Sequence, residues 1–420
     1  MPIILPVIHQ HAEESAMLRH VRSVLVIAPQ VRLFQLGRSD DRLAAHLDGL
    51  AVAGDFGWSV CEAALQTPGT GEVFAAAVRA IEGKNGTRLN KLFALAQSAP
   101  QAQRGLVSAF GWVSAQYLQG TTKELLASTD SFKRQVGIAA CAMHRVEPGD
   151  PLLAAVRADN ATLRARALRT VGELGCMDLL AEARAALNEA DERVRFWAAW
   201  AAVLLGDRGE SLNVLTQISR GESAFVPRAM RLLLKATTTD WGHEFLRALA
   251  KAVEKNPVMK RRLIHACGIV GDPQYIPWLI GLMSDDQHAR LAGESFSMIT
   301  GLDLWQPPFF RSQPESFESG PSEDPNDDND ALDEDDGLPW PDQDRIQRWW
   351  QANQLSIPQG TRTFMGKPVT REHCIQVLKE GYQRQRIAAA EYLCLLNPGT
   401  KLVPTSAPAW RQQRWLAKLG

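Results

Sequence analysis

At 420 residues the chain exceeds what one compact core organises, so several domains or a repeat array are expected. Hydrophobic residues make up 45 %, led by Ala and Leu, and aromatics only 7 %, which suits packed helices better than a β-branched sheet. The net charge of −1 hides a segregation: residues 315–344 carry 13 Asp and Glu and no Lys or Arg, leaving 46 basic against 34 acidic residues elsewhere. No apolar run approaches the roughly 20 residues of a membrane helix, so a membrane span is not expected.

The opening MPIILPVIHQHAEES turns polar early and has no cleavage-site pattern, so a cytoplasmic protein is expected. Irregular helical stretches at about 12–28, 41–53, 57–66, 72–82 and 87–97 define residues 1–100 as a helical cap with the first irregular repeats.

Residues 101–305 repeat. Turn residues Gln101, Asp130, Asp159, Asp191, Ser223, Asn256 and Asp285 recur every 29 to 33 residues, and most are good N-cap types. A basic residue follows four or five positions later: Arg134, Arg164, Arg195, Arg228, Arg261 and Arg290. Small-residue runs come next, such as RQVGIAACAM at 134–143 and RFWAAWAAVLLGD at 195–207. They end on Gly or Gly-Asp, as at Gly206-Asp207 and Gly271-Asp272, the signature of a left-handed C-cap. Two antiparallel helices in about 30 residues, neither burying a face alone, predict an all-α, HEAT-like repeat α-solenoid. The repeats resemble the HEAT-like repeats of phycobilin lyases, and that resemblance sets only a prior on function.

After LDLW at 302–305 the chain becomes rich in Pro, Ser and acid, and residues 306–344 are expected to be a disordered acidic linker. Residues 345–420 are expected to form a C-terminal helical unit, with an extended FMGKPV and a final RQRIAAAEYLCLL in repeat grammar that docks back on the array.

Four stretches carry a more specific likeness: QHAEESAMLRHVR at 10–22, DRLAAHLDGLAVAGDFGW at 41–58, SFSMITGLDL at 295–304 and RQRIAAAEYLCLL at 384–396. In this order they resemble a bacterial family of HEAT-like-repeat proteins commonly encoded in type VI secretion gene neighbourhoods. The resemblance implies fold and context rather than a catalytic activity. It suggests a protein partner, an effector or spike component, and two roles: an immunity protein that neutralises a toxic effector, or an effector-loading adaptor. A phycobilin-lyase-like enzyme is the outside alternative, and no cofactor is expected.

The acidic tract is the first place to look for specificity. Asp327, Asp328, Asp330, Asp333, Glu334, Asp335 and Asp336, with Trp340, Trp349 and Trp350, are the candidate partner-binding residues, because clustered carboxylates with interspersed apolar groups can imitate a polyphosphate for a nuclease toxin. The competing reading is a solvated, self-repelling linker. A calcium loop over Asp324, Asn326, Asp328, Asp330 and Asp335 is disfavoured by Asn329 at the turn and Asp at position 12. His9, His11, Glu13 and Glu14, and His373 beside Cys374, lack metal-ligand spacing, so no metal is expected.

Arg164, Arg166, Arg169, Arg184, Arg193 and Arg195 suggest a nucleic-acid ridge, but a structural ladder onto the adjoining turns fits better. Trp197 and Trp200 are weighed as core rather than interface. The six scattered cysteines, without a CxxC pair, are expected to be reduced core residues, and no catalytic signature is present.

Overall fold

The computed structural model describes residues 4–315, 317 and 333–419, and it is all-α but for two short β-ladders. In the first part of the chain, α1 (Leu5–Leu25), α2 (Leu33–Val52), α3 (Gly54–Ala64), α4 (Thr70–Glu82) and α5 (Gly86–Ser98) precede the regular pairs. Those pairs are α6 (Pro100–Trp112) with α7 (Thr121–Ala127), α8 (Ser131–His144) with α9 (Asp150–Val156), α10 (Ala161–Leu174) with α11 (Leu180–Ala185), and α12 (Glu192–Leu204) with α13 (Glu210–Ser219). Next come α14 (Val226–Ala236), α15 (Thr239–Lys255), α16 (Met259–Val270), α17 (Ile276–Leu282) and α18 (Ala289–Thr300). Strands β1 (Phe310–Arg311) and β2 (Trp340–Pro341), α19 (Gln343–Asn353), β3 (Thr363–Phe364), β4 (Lys367–Pro368), α20 (Arg371–Glu380), α21 (Gln383–Leu396) and α22 (Ala409–Leu416) complete the chain.

Two compact units divide the chain: Met1–Gln217 with Leu378–Gly420, and Ile218–Val377. The divisions thus fall inside the stretch expected to be one regular array and inside the expected C-terminal unit. Within the first unit, α4, α6, α8, α10 and α12 form a continuous row of neighbours, backed by α5, α7, α9 and α11; in the second, α14, α16 and α18 form such a row, backed by α15 and α17. This is the HEAT-like α-solenoid arrangement in each unit.

Small side chains set the spacing of the rows. Gly172 of α10 lies so close to α12 that an added Cβ would stand 2.6 Å from the Trp200 ring and 2.9 Å from Ala201 Cα. The row helices are buried along most of their length, as in α12, where Val194, Phe196 and Ala198 to Leu204 are all buried. Asp130 and Asp191 cap α8 and α12 with carboxylates that accept from two backbone N–H groups each, while Asn160 rather than Asp159 caps α10. Ser223, Asn256 and Asp285 instead cap the turns just upstream of α14, α16 and α18. Gln101 caps nothing: α6 starts at Pro100, which is tolerated at a first helical position where no N–H is needed. The same effect starts α1 at Leu5, earlier than periodicity predicts, with Pro6 in its first turn.

Each row ends against a returning segment that satisfies its carbonyls. In the second unit, Arg362 donates to the carbonyls of Leu234, Lys235, Thr237 and Val270 at the ends of α14 and α16. The predicted extended FMGKPV is the β3–β4 hairpin, whose tip residues Met365 (φ 51) and Gly366 (φ 79) donate their N–H groups to Met298 and Ile299 carbonyls in α18. Gly271 ends α16 at φ +75, and the Thr363 carbonyl would stand 2.5 Å from a Cβ there, so both conformation and space demand glycine.

In the first unit, the final segment does the same. Arg411 donates to Gly111, Trp112 and Val113 carbonyls at the end of α6, Arg145 donates to the Leu402 carbonyl, and Leu402 N–H to that of Glu173. Of the unit expected over 345–420, only Leu378–Gly420 lies in the first unit, where Gln383 bonds backbone carbonyls of Val26 and Thr405, and Asp40 accepts from the Ala409 N–H at 2.7 Å. Arg386 is fully buried in α21 with neutral partners, the Leu378 carbonyl and the side chains of Gln383 and Gln412. Of the cysteines, Cys61, Cys141, Cys267, Cys374 and Cys394 are buried and Cys176 is half-buried, all as free thiols.

Two glycine substitutions separate spacing from propensity. Gly172→Ala gains up to about 1 kcal/mol of helix propensity but overpacks an immobile contact at about 1–3 kcal/mol, so it should lower the midpoint of urea unfolding followed by circular dichroism. Gly281→Ala in α17, where nothing stands within 4 Å of the new methyl, should raise it.

Candidate partner-binding sites

Of the repeat arginines, Arg164 and Arg195 bind the adjoining turn, and Arg261 and Arg290 reach the acidic tract. Arg195 donates to the carbonyls of Glu189 and Ala190 at 2.6 and 2.7 Å, and Arg164 pairs with Glu189 at 2.8 Å, as the ladder reading expects. Arg134 is half-buried at the start of α8 and Arg228 lies in the first turns of α14. Arg261 at the start of α16 instead makes a bidentate pair with Asp335, at 2.9 and 2.6 Å, and a third contact with Glu334 at 3.0 Å. Arg290 of α18 grips Asp333 at 2.7 and 2.8 Å and lies over the rings of Trp340 and Phe317, 4.7 and 4.9 Å from their centroids.

For the described residues 306–315, 317 and 333–344, this clamp corrects the expectation of a disordered acidic linker over 306–344. Phe310 and Arg311 pair with Pro341 and Trp340 in the β1–β2 ladder, Trp340 is buried, and Asp335 is only 4 % exposed. The physical reason is charge compensation: desolvating a carboxylate is tolerated where a planar guanidinium meets both of its oxygens. Burial alone would raise the Asp333 pKa, but the Arg290 hydrogen bonds, the Asp335 N–H and the charges of Arg290 and Arg261 together outweigh it and hold it below the usual carboxylate range.

Of the candidate partner-binding residues, Asp333 and Asp335 are therefore engaged, and Glu334 and Asp336 are exposed beside them. Trp350 is buried, and Trp349 is half-buried against Phe296 with 6.0 Å between ring centroids. Asp327, Asp328 and Asp330 lie outside the described residues, as do Asp324, Asn326 and Asn329 of the calcium-loop reading.

The other singled-out groups are structural where described. His11 meets His46, Nδ1 to Nδ1 at 3.1 Å, and His373 Nε2 donates to the Phe364 carbonyl at 2.8 Å. Among the described residues, no group of three or more His, Cys, Asp or Glu side chains is placed to hold a metal. Trp200 is buried, and Trp197 packs edge-on against it beneath Arg169. The arginines offered as a nucleic-acid ridge are engaged: Arg184 with Asp207 at 3.6 Å, Arg193 with Asp191 at 3.4 Å, and Arg166 and Arg169 with Glu173 at 2.5 and 2.8 Å.

The last pair belongs to a cleft that periodicity does not reveal. In the first unit, α1, α6, α8, α10 and residues 404–411 enclose about 540 Å³, lined by seven arginines and a single carboxylate, Glu173. Arg22, Arg145 and Arg411 hold backbone carbonyls at its walls, Arg166 and Arg169 hold Glu173, and Arg19 and Arg104 have no carboxylate partner among the described residues. Burial and its neighbour Arg22 push the Arg19 pKa down to about 10, and burial with Arg414, Arg22 and Arg145 does the same to Arg411. Burial opposes ionisation of Glu173, yet Arg166, Arg169 and Arg145 together hold it at about 2.

The same field acts on His144, which donates from Nε2 to the Phe110 carbonyl at 2.8 Å; burial and Arg411 lower its pKa to about 4.

Two measurements check these sites. Arg290→Ala, which strands Asp333, should cost about 3–5 kcal/mol in urea unfolding, whereas Arg290→Met with Asp333→Leu should cost far less. Because the native state binds fewer protons at His144, stability should fall as pH drops from 6.5 towards 4. His144→Gln should make that part of the melting-temperature profile shallower, burial of His46 and His373 supplying the rest, and leave intact the further loss below 4.5, where Glu173 protonates only on unfolding.

No curated protein and no solved structure matches the chain. A family model for HEAT repeats matches residues 149–235, the stretch from α9 to α14 whose row helices and capped turns are described above.

Proposed function

We propose that the chain is a non-catalytic protein-binding scaffold acting in type VI secretion, most concretely an immunity protein that binds and neutralises a cognate toxic effector. The scaffold part follows from the repeats: HEAT repeats generally mediate protein interactions, and this chain has the all-α repeat fold. The secretion setting rests on the family resemblance of its N-terminal, central and C-terminal stretches.

The single observation that carries the more specific reading is the double arginine clamp on the acidic tract. Arg261 and Arg290 fix Asp335 and Asp333 against α16 and α18, so the exposed Glu334 and Asp336 beside them are presented from a folded base. A preorganised acidic element loses less entropy on binding than a free one. It is complementary to the basic cleft of a nuclease toxin, the effector class that fits best.

The test is genetic and biochemical together. Deleting the gene should make the host susceptible to its own effector, and re-expression should restore protection. An effector-loading adaptor would instead leave survival intact and abolish export. Removal of residues 318–331, which spares the clamp, should abolish protection without lowering the melting temperature; full protection by that variant would end the nuclease-mimicry reading.

A further inference from the structure

The arginine cleft of the first unit has a composition that the helix row does not require. Three of its seven arginines bond backbone carbonyls, which are neutral, so their charges are offset only where Arg22 also meets Asp40 at 2.6 Å and where the charge of Glu173 reaches Arg145. Glu173 serves both Arg166 and Arg169, and Arg19 and Arg104 add two further charges at the mouth. Arg166 Nε is buried without a hydrogen-bond partner. Like charges held together in a partly desolvated site favour an anion that displaces little but water.

The shape narrows the ligand. The cleft of about 540 Å³ adjoins a second of about 930 Å³ between α1, α3 and α4, and the two share Arg19, Ser23 and Arg104. The two together suit an extended chain better than a small anion, with its acidic residues in the first, since Glu13 and Glu72 line the second. Apolar walls line the cationic half, including Phe74, Val107, Trp112 and Phe132. Glu173 already shows what the cleft accepts: a carboxylate bridging two guanidinium groups, at 2.5 and 2.8 Å. A nucleic-acid backbone would call for exposed, separated basic groups, whereas Arg22 and Arg145 are buried and Arg19, Arg166 and Arg411 are partly buried.

We propose that this cleft is a binding site for an extended acidic peptide segment, with Arg19 and Arg104 meeting its carboxylates and the half-buried Val107 and Phe132 offering an apolar side chain a wall. The proposal rests on the partner-binding reading only for the origin of the peptide, which would be a segment of the bound protein.

The experiment uses the intact chain and a synthetic peptide of alternating glutamate and leucine, titrated calorimetrically at low and moderate salt. Binding should weaken by about tenfold or more as salt screens the cleft. Arg19→Gln with Arg104→Glu should lower affinity by at least tenfold at an unchanged melting temperature. Arg184→Glu, on the first unit but outside the cleft, should not change it.

Peptide binding that ignores the cleft substitutions, or no peptide binding by the intact, folded chain, overturns the proposal. So does a single-stranded oligonucleotide or inorganic polyphosphate that binds through Arg19 and Arg104 while the peptide does not. If Arg19→Gln with Arg104→Glu unfolds the chain, Arg104→Glu alone decides, since Arg104 is exposed and anchors no described residue. Failure here leaves the protection assay untouched, and failed protection with retained peptide binding refutes the immunity role alone.

Discussion

Helices stacked in a row end with carbonyls that have no partner in their own helix, and a buried carbonyl left unpaired costs on the order of 1–3 kcal/mol. The rest of this structure follows from how that demand is met. In the first unit the segment from Gly399 to Arg411 runs along the ends of α6, α8 and α10; in the second, residues 360–366 do so for α14, α16 and α18. Arginine is the tool in both, because one planar fork can serve several carbonyls at once: Arg411 takes three and Arg362 four. Placing a cation at a helix C-terminus also complements the helix dipole.

That solution has an electrostatic consequence. A carbonyl satisfies the hydrogen bonds of a guanidinium but does not cancel its charge. Where the capping arginines cluster, as with Arg145 and Arg411, a positive field accumulates, and it adds to burial in depressing the pKa values of Arg411 and His144. Where carboxylates are supplied instead, as Asp333 and Asp335 are to Arg290 and Arg261, the same residue type becomes a neutral clamp. The two sites differ in what the arginines were given to hold.

Much of the fold was legible because its determinants are local. The row helices show in the small-residue runs, their starts in Asp130 and Asp191, their ends in Gly271, and FMGKPV reads as extended, though not as the hairpin it forms. The clamp was not legible, because Arg261 and Asp335 are 74 residues apart and the arginine pattern alone assigns each Arg to its own neighbouring turn. The cleft was hidden for the same reason: Arg22 meets Ser406, and Arg145 meets Leu402, across most of the chain. An acidic, proline-rich composition gives the average behaviour of such segments. It misses the case in which two arginines elsewhere supply the compensation that the segment lacks.

Arg386 shows how far this chain relies on arginine without counter-charge. It is fully buried, and burial pulls its pKa down to about 10, yet its partners are a carbonyl and two glutamine side chains. A buried charge of this kind is costly in isolation. It persists because Gln383 and Gln412 are themselves fixed by the carbonyls of Val26, Thr405 and Ala407, so that one network joins α21, α22 and the end of α1. Replacing Arg386 with an apolar group would remove the desolvation cost but leave those glutamine oxygens and the Leu378 carbonyl without a donor. The geometry of the returning segment, and with it the wall of the arginine cleft formed by residues 404–411, therefore depends on a cation that touches no carboxylate among the described residues.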